Sequence, residues 1–200
     1  MSQRSEENHL FPVFLKLDKI QTLVVGGGYV GWEKLGALLK NDHEANVKII
    51  APEIRKEIRE IAAVHPAIEL VEKKYAPSDL EGINLVIGAT NFYEVNKQIY
   101  RDAKAKGILV NVADTPELCD FYLGSTVKKG NLKIGISTNG KSPTFAKRLR
   151  VILEEVLPDN TDDILQNLAE IRKGLKGDFE KKMEVLNEIT ASFVHHKKEN

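Results

Sequence analysis

The chain of 200 residues has a single cysteine, Cys119. One thiol cannot form a disulfide within the chain, and no Cys-rich or Cys/His spacing offers a zinc site. Cys119 reads as a small packed residue, and a reducing, cytoplasmic setting fits this usage. Net charge is also lacking: 29 basic residues balance 29 acidic ones. That excludes a chain-wide electrostatic hold on nucleic acid, so only local charge clusters can matter. No apolar run approaches the length of a membrane span. The opening MSQRSEENHL has neither the basic nor the apolar region of a secretion signal. The five histidines form no metal-ligand pattern: His43 and His65 fall in loops or helix ends, and His195 and His196 sit together in a polar tail. No repeat and no low-complexity linker interrupts the chain. The expectation is a protein without a membrane, nucleic-acid or metal partner.

What is present is alternation of strands and helices. Phe11–Leu17 alternates like a short strand, and Thr22–Gly26 (TLVVG) is a buried strand running into glycines. Helical spacing follows over Tyr29–Lys40, then a strand at Asn46–Ala51. A helix is expected over Glu53–Val64 and a weaker strand at Ile68–Val71. Asn84–Ala89 is a fourth strand. Asn91 and Glu94 resemble a capping box, so a helix is expected from Asn91 to about Lys106, stopped by Gly107. Leu109–Ala113 is a fifth strand. Such units predict an α/β Rossmann domain, a doubly wound parallel sheet of order 3-2-1-4-5.

After Asp114 the pattern changes. Phe121–Val127 and Leu132–Ser137 predict a hairpin around Lys129-Gly130-Asn131. Ser142-Pro143 opens a helix that ends before Pro158. Helical spacing resumes at Thr161, breaks at Gly174 and Gly177, and returns from Phe179 through Met183, Leu186, Ile189 and Phe193, with a frayed HHKKEN tail. The expected domains are 1–113, a nucleotide-binding domain; 114–158, a small hairpin and helix unit; and 159–200, a helical carboxyl-terminal domain. The last is too small to bury much alone, so it should pack on a neighbour in its own chain or a partner's.

Gly26-Gly27-Gly28-Tyr29-Val30-Gly31 fits G-x-G-x-x-G, between a strand and a helix. Gly26 permits the tight turn, Gly28 lets a pyrophosphate approach the backbone, and Gly31 lets helix and strand pack closely. The amides around Tyr29 and Val30, at the positive end of the helix, receive the phosphates. An acid some twenty residues on usually bonds the ribose. Glu53 lies near that position, slightly late, and could equally be an acid serving a helix dipole. No arginine replaces it at the strand tip, although Arg55 is close, so NAD is favoured over NADP. Gly88-Ala89-Thr90-Asn91 ends the fourth strand on the same sheet edge, which adds Thr90 and Asn91 to the cofactor candidates.

Together, FPVFLKLDKIQTLVVGGGYVGWEK, IIAPE, GATN, NVADTPELCDFYLGS and ISTNGKSPTFAKRLR resemble the precorrin-2 dehydrogenase and sirohydrochlorin ferrochelatase family. The segments spread over residues 11–150, and the last fifty residues carry little signature. The resemblance implies NAD-dependent oxidation of precorrin-2 to sirohydrochlorin, in siroheme or cobalamin biosynthesis. It also implies a homodimer joined through the 114–158 unit, with substrate near the domain junction. Some members also insert ferrous iron, and others leave that to a separate chelatase. One departure is Gly31-Trp32-Glu33, where the family often has alanine and then a basic residue.

Asp114 ends the fifth strand, on the sheet edge where ligands bind in such folds. By its chemistry it is either a proton acceptor or the cap of the turn Asp-Thr-Pro-Glu. The resemblance matches it to the family's essential acid and so favours the first. Asp120, the nearest rival, reads as a charge at a strand start. From Phe121 to Leu153 there is no acid, while Lys128, Lys129, Lys133, Lys141, Lys147, Arg148 and Arg150 fall within it. A face of that kind suits an anionic tetrapyrrole. Ser137-Thr138-Asn139-Gly140-Lys141-Ser142 adds a polar loop at a helix start, and Ser137, Asn139, Lys141 and Ser142 are the expected substrate contacts. In the resemblance this loop lines the active-site cleft, and Ser137 matches a serine at a regulatory or substrate-contact position. The rival reading is a module that senses NAD without chemistry.

Overall fold

A computed structural model describes residues 7–175 and 179–194. The chain divides into two compact units, 1–124 and 125–200.

The first unit is a five-stranded parallel sheet. In chain order it comprises β1 (Gln21–Val25), α1 (Tyr29–Asn41), β2 (Asn46–Ala51), α2 (Lys56–Val64), β3 (Ile68–Glu72), β4 (Leu85–Gly88), α3 (Tyr93–Ala105) and β5 (Leu109–Val112). The strand order is β3-β2-β1-β4-β5, the doubly wound order expected from the sequence. β1 lies between β2 and β4, with Val25 beside Ile50 on one side and Gly88 on the other. Both faces are covered, which is why β1 is a continuous apolar run rather than an alternating one. Val24 points into a core with Leu35, Leu38, Val47, Ile49, Ile58 and Ile87. Leu23 and Val25 point the other way, among Ile50, Val86, Ile99, Ala103, Val110 and Val112.

The second unit pairs β6 (Ser125–Lys129) antiparallel with β7 (Leu132–Ile136), and packs α4 (Pro143–Val156) on the hairpin around Val127, Ile136 and Ala146. α5 (Thr161–Gly174) and α6 (Phe179–Val194) follow. The hairpin turn is tied to the start of α5. Asp162 Oδ1 accepts from the backbone and side-chain nitrogens of Asn131, both at 2.7 Å. These bonds hold the Asp162 carboxyl below the usual aspartate range. Gly130, at φ +54°, lies so close that a Cβ would run into that carboxylate. Lys129 reaches Asp159 at 2.5 Å.

Several boundaries differ from the sequence expectation. Phe11–Leu17 is not a strand. Residues 11–16 have no regular structure, and Phe11 is 86% exposed. Its alternation finds no ladder: it pairs with neither edge strand of this unit's sheet, β3 or β5. Its end is nevertheless anchored, since the carbonyls of Leu17 and Asp18 accept from Asn46. α2 starts at Lys56 rather than Glu53, because the backbone first turns at Pro52 and Glu53. α3 starts at Tyr93 rather than Asn91, with no capping side chain. β6 begins at Ser125, four residues later than expected, so Asp120 is not at a strand start. Gly177, the tail from His195 and the side chain of Phe193 lie outside the described residues. Among the described residues no helix is long and apolar enough to cross a membrane.

Thr22, wholly buried in β1, has a hydroxyl with no hydrogen-bond partner among the described residues. An unmatched buried hydroxyl costs more than the methyl of the same shape. Thr22→Val should therefore raise the unfolding free energy by about 1 kcal/mol, read as a higher denaturant midpoint at unchanged slope.

Candidate functional site

The site is built where β1 leaves the sheet. Gly26, at φ +132°, continues the ladder by donating to the Ile50 carbonyl at 2.9 Å. A side chain there would overlap the carbonyl of Ala89. Gly31 is pressed against the Gly26 carbonyl, leaving no room for a Cβ. These two glycines let β1, β4 and the first turn of α1 meet at backbone distance. Gly28 is different. It precedes α1, has an ordinary φ of −84°, and a Cβ built on it would meet nothing within 4 Å. No acid occupies the first turn of α1, and no side chain among the described residues caps it. Its leading N–H groups and positive dipole end are left for an anion.

Two loops face this turn across a cleft of about 290 Å³ lined by Val30, Thr90, Asn91, Tyr93, Asn96, Ala113, Asp114 and Thr115. The loop after β4 is organised by Asn96, which is 5% exposed. Its Oδ1 accepts from the Thr90 hydroxyl at 2.8 Å, and its Nδ2 donates to the Thr90 carbonyl at 2.9 Å. The Thr90 hydroxyl also accepts from the Phe92 N–H at 3.2 Å. Thr90 and Asn96, not Asn91 and Glu94, set the entrance to α3.

The loop after β5 carries Asp114, exposed and at φ +56°. That is a left-handed backbone, which aspartate tolerates better than most residues. Its carboxylate makes no hydrogen bond or ion pair among the described residues. The turn does not rely on Asp114 as a cap: the Thr115 hydroxyl donates to the Ala113 carbonyl at 3.2 Å. Beneath it, Cys119 Sγ accepts from the Val112 N–H at 3.3 Å and donates to the carbonyls of Val112 and Thr115 at 3.2 and 3.3 Å. Burial pushes the thiol up from its usual range, so Cys119 is a packed, protonated staple. Asp120 closes the same strand edge. Its Oδ2 accepts from the Val110 N–H at 3.2 Å and its Oδ1 from Lys104 at 2.7 Å. Its charge is consumed in structure, whereas that of Asp114 is not.

The other predicted residues fall in three places. Tyr29 is exposed at the first position of α1, its ring tilted against that of Trp32 at 60° and 5.6 Å between centroids. Glu53 lies in the bend after β2, three residues ahead of α2, so it is not that helix's terminal acid. Ser137, Asn139, Lys141 and Ser142 share the β7–α4 loop of the second unit. Ser142 caps α4 by accepting from the Phe145 N–H at 3.1 Å. Asn139 takes φ +54°, and its N–H donates to the Ser137 hydroxyl at 3.2 Å.

Sequence reasoning missed Gly27 and Asn96. Gly27 is as confined as its neighbours, because a Cβ there would overlap the Glu53 carbonyl and its own carbonyl accepts from the Arg55 N–H at 3.0 Å. The motif treats that position as free, so no local signal marks it. Asn96 had a weak one, as a poor helix former inside an amphipathic helix.

Fold and cleft together define a dinucleotide-binding Rossmann protein. Residues 13–125 match the family model described as "Putative NAD(P)-binding", and residues 129–155 match "Sirohaem biosynthesis protein central". The chain belongs to this NAD(P)-binding family. It is 38% identical over 165 residues to a siroheme synthase of Nitrosococcus oceani, covering 82% of this chain and 35% of that protein. It is 36% identical over 166 residues to a siroheme synthase of Psychrobacter arcticus, covering 83% and 30% respectively. The chain thus spans about a third of the length of these relatives. The solved structure titled "SirC, precorrin-2 dehydrogenase" aligns with a TM-score of 0.70 at 28% identity, over 90% of this chain and 89% of that one.

The glycines separate folding from binding. Gly28→Val should keep the fold, at a cost of about 1 kcal/mol or less. It should weaken NADH binding by about tenfold or more, because it fills the approach to the α1 amides. Gly31→Ala should instead unfold the loop. Coenzyme fluorescence titration beside a melting curve distinguishes the two.

Proposed function

We propose that this chain is an NAD-dependent dehydrogenase that oxidises precorrin-2 to sirohydrochlorin. The observation that carries the reading is Asp114, a carboxylate with no partner among the described residues, on a left-handed turn in a cleft walled on its other side by Val30 of the glycine-loop helix. The siroheme synthase relatives and the precorrin-2 dehydrogenase neighbour support the substrate.

The residues fit the coenzyme. Space is open at Gly28 and at no other member of the Gly26–Gly31 motif's glycines, and the α1 N-terminus is uncapped. Gly26, Gly28 and Gly31 shape the cradle, the amides around Tyr29 and Val30 hold the diphosphate, and Glu53 takes the ribose hydroxyls. Thr90 and Asn91 border the far end. NAD bound there supplies the hydride acceptor. Oxidation of the ring removes a hydride and a proton, and Asp114 takes the proton on a carboxylate oxygen. Ser137, Asn139, Lys141 and Ser142 contact the substrate, whose carboxylates suit the surrounding lysines and arginines of residues 121–153. Cys119, kept as a free thiol, fits a cytoplasmic enzyme.

The protein acts as a homodimer through the hairpin and α4. Phe145, Ile152 and Val156 are 59%, 54% and 72% exposed, and their spacing of seven and four residues aligns them in one apolar stripe on α4. Ile152→Glu should convert the dimer to monomer, read by light scattering behind size exclusion.

For catalysis, Asp114→Asn is the informative change, because asparagine also accepts positive φ. NADH formation on adding precorrin-2 should fall by about 10²- to 10⁴-fold, while NAD binding and melting temperature stay near wild type. Undiminished turnover would remove Asp114 as the base. No NADH from the wild-type protein would favour the sensing module.

A further inference from the structure

The passage from β2 into α2 carries Arg55 between two acids, Glu53 in the bend and Glu57 in the first turn of α2, and the structure sorts their partners. Arg55 is tied to the glycine loop through its backbone N–H, which donates to the Gly27 carbonyl at 3.0 Å. Its guanidinium is engaged by Glu57 in a fork: Nε donates to Oε2 at 3.2 Å and a terminal nitrogen to Oε1 at 2.5 Å. The pairing raises the arginine further above its ordinary value and holds Glu57 below the usual carboxylate range. The Glu53 carboxylate has no hydrogen bond or ion pair among the described residues.

In this fold the tip of the second strand reads the adenosine ribose. A carboxylate there suits the free 2′-hydroxyl, and an arginine suits a 2′-phosphate. This chain holds both residue types within three positions. Arginine and phosphate pair through two parallel N–H donors, the same geometry that Glu57 occupies here. We propose that Glu57 is a specificity-determining residue: by occupying the Arg55 fork beside the glycine loop, it denies a 2′-phosphate its receptor and reserves the pocket for the unphosphorylated coenzyme. With Glu57 in place the trio carries one positive charge against two negative; without it the charges are equal and the fork is free. The inference rests on the coenzyme half of the function proposed above and not on the substrate.

An exposed pair of this kind contributes little to folding, so its removal leaves a folded protein to measure. The full chain is titrated with NADH and with NADPH by coenzyme fluorescence, without precorrin-2. Wild type should favour NADH. Glu57→Gln should tighten NADPH by about five- to tenfold and move NADH far less, and adding Arg55→Gln should cancel the gain. Unchanged NADPH affinity in Glu57→Gln, or a gain that persists without Arg55, overturns the assignment. So does a wild-type protein that binds both coenzymes alike, a result that leaves the dehydrogenase reading standing. Failure to bind either coenzyme overturns both.

Discussion

The structure depends on one steric constraint: the carbonyl of Gly26 lies where a side chain on residue 31 would be. This contact brings the exit of β1 and the first turn of α1 to backbone distance. It aims the positive end of α1 along the carboxyl edge of the sheet. The second constraint sits at Gly26 itself, against the Ala89 carbonyl, and docks the β4 loop on the same turn. The third is Gly27 against Glu53, which docks the β2 tip. Three glycines thus lock three strand ends together, while Gly28 is left open. The cradle is the gap that remains when everything around it has been packed without side chains.

The opposite wall is held by polar rather than steric means. β5 is an edge strand, and its outer N–H groups would be unmatched without the segment that folds back over it. Asp120 accepts from the Val110 N–H and Cys119 from the Val112 N–H, while the thiol donates to the Thr115 carbonyl beyond the strand. These two side chains stand in for a sixth strand, and the turn they close presents Asp114. Asn96 does equivalent work for the loop after β4 through Thr90. The cleft therefore has rigid walls made from groups that spend their polarity inward, and one carboxylate that does not.

Much of this was legible because it is periodic or local. The buried run Thr22–Gly26 and the helical spacing after Tyr29 give a strand–turn–helix whose glycines can only be a tight loop. The alternation of units then gives the strand order. The misreadings have a common origin. Phe11–Leu17 alternates correctly but pairs with neither edge strand, β3 or β5. Glu53 and Asn91 have helix-start chemistry, yet Pro52–Glu53 turns first and the Thr90–Asn96 bonds delay α3 to Tyr93. Asp114 could be singled out by its place at a strand end. That it was free rather than a turn cap could not be, because the sequence does not say that Thr115 and Cys119 hold the turn instead.

By itself the sequence determined the doubly wound sheet, the tight glycine turn between β1 and α1, the capped start of α4 and the membership of an NAD(P)-binding family. Each of these is dictated by neighbours a few residues apart or by the spacing of apolar residues. Tertiary structure alone decided which acids are spent and which are available. Asp120 is bound by a strand and a helix, while Glu53 and Asp114 find no partner among the described residues. The physical reason is that a carboxylate's role is set by the donors that reach it. Those that engage Asp120 come from residues ten and sixteen positions away, a separation that only the folded chain closes.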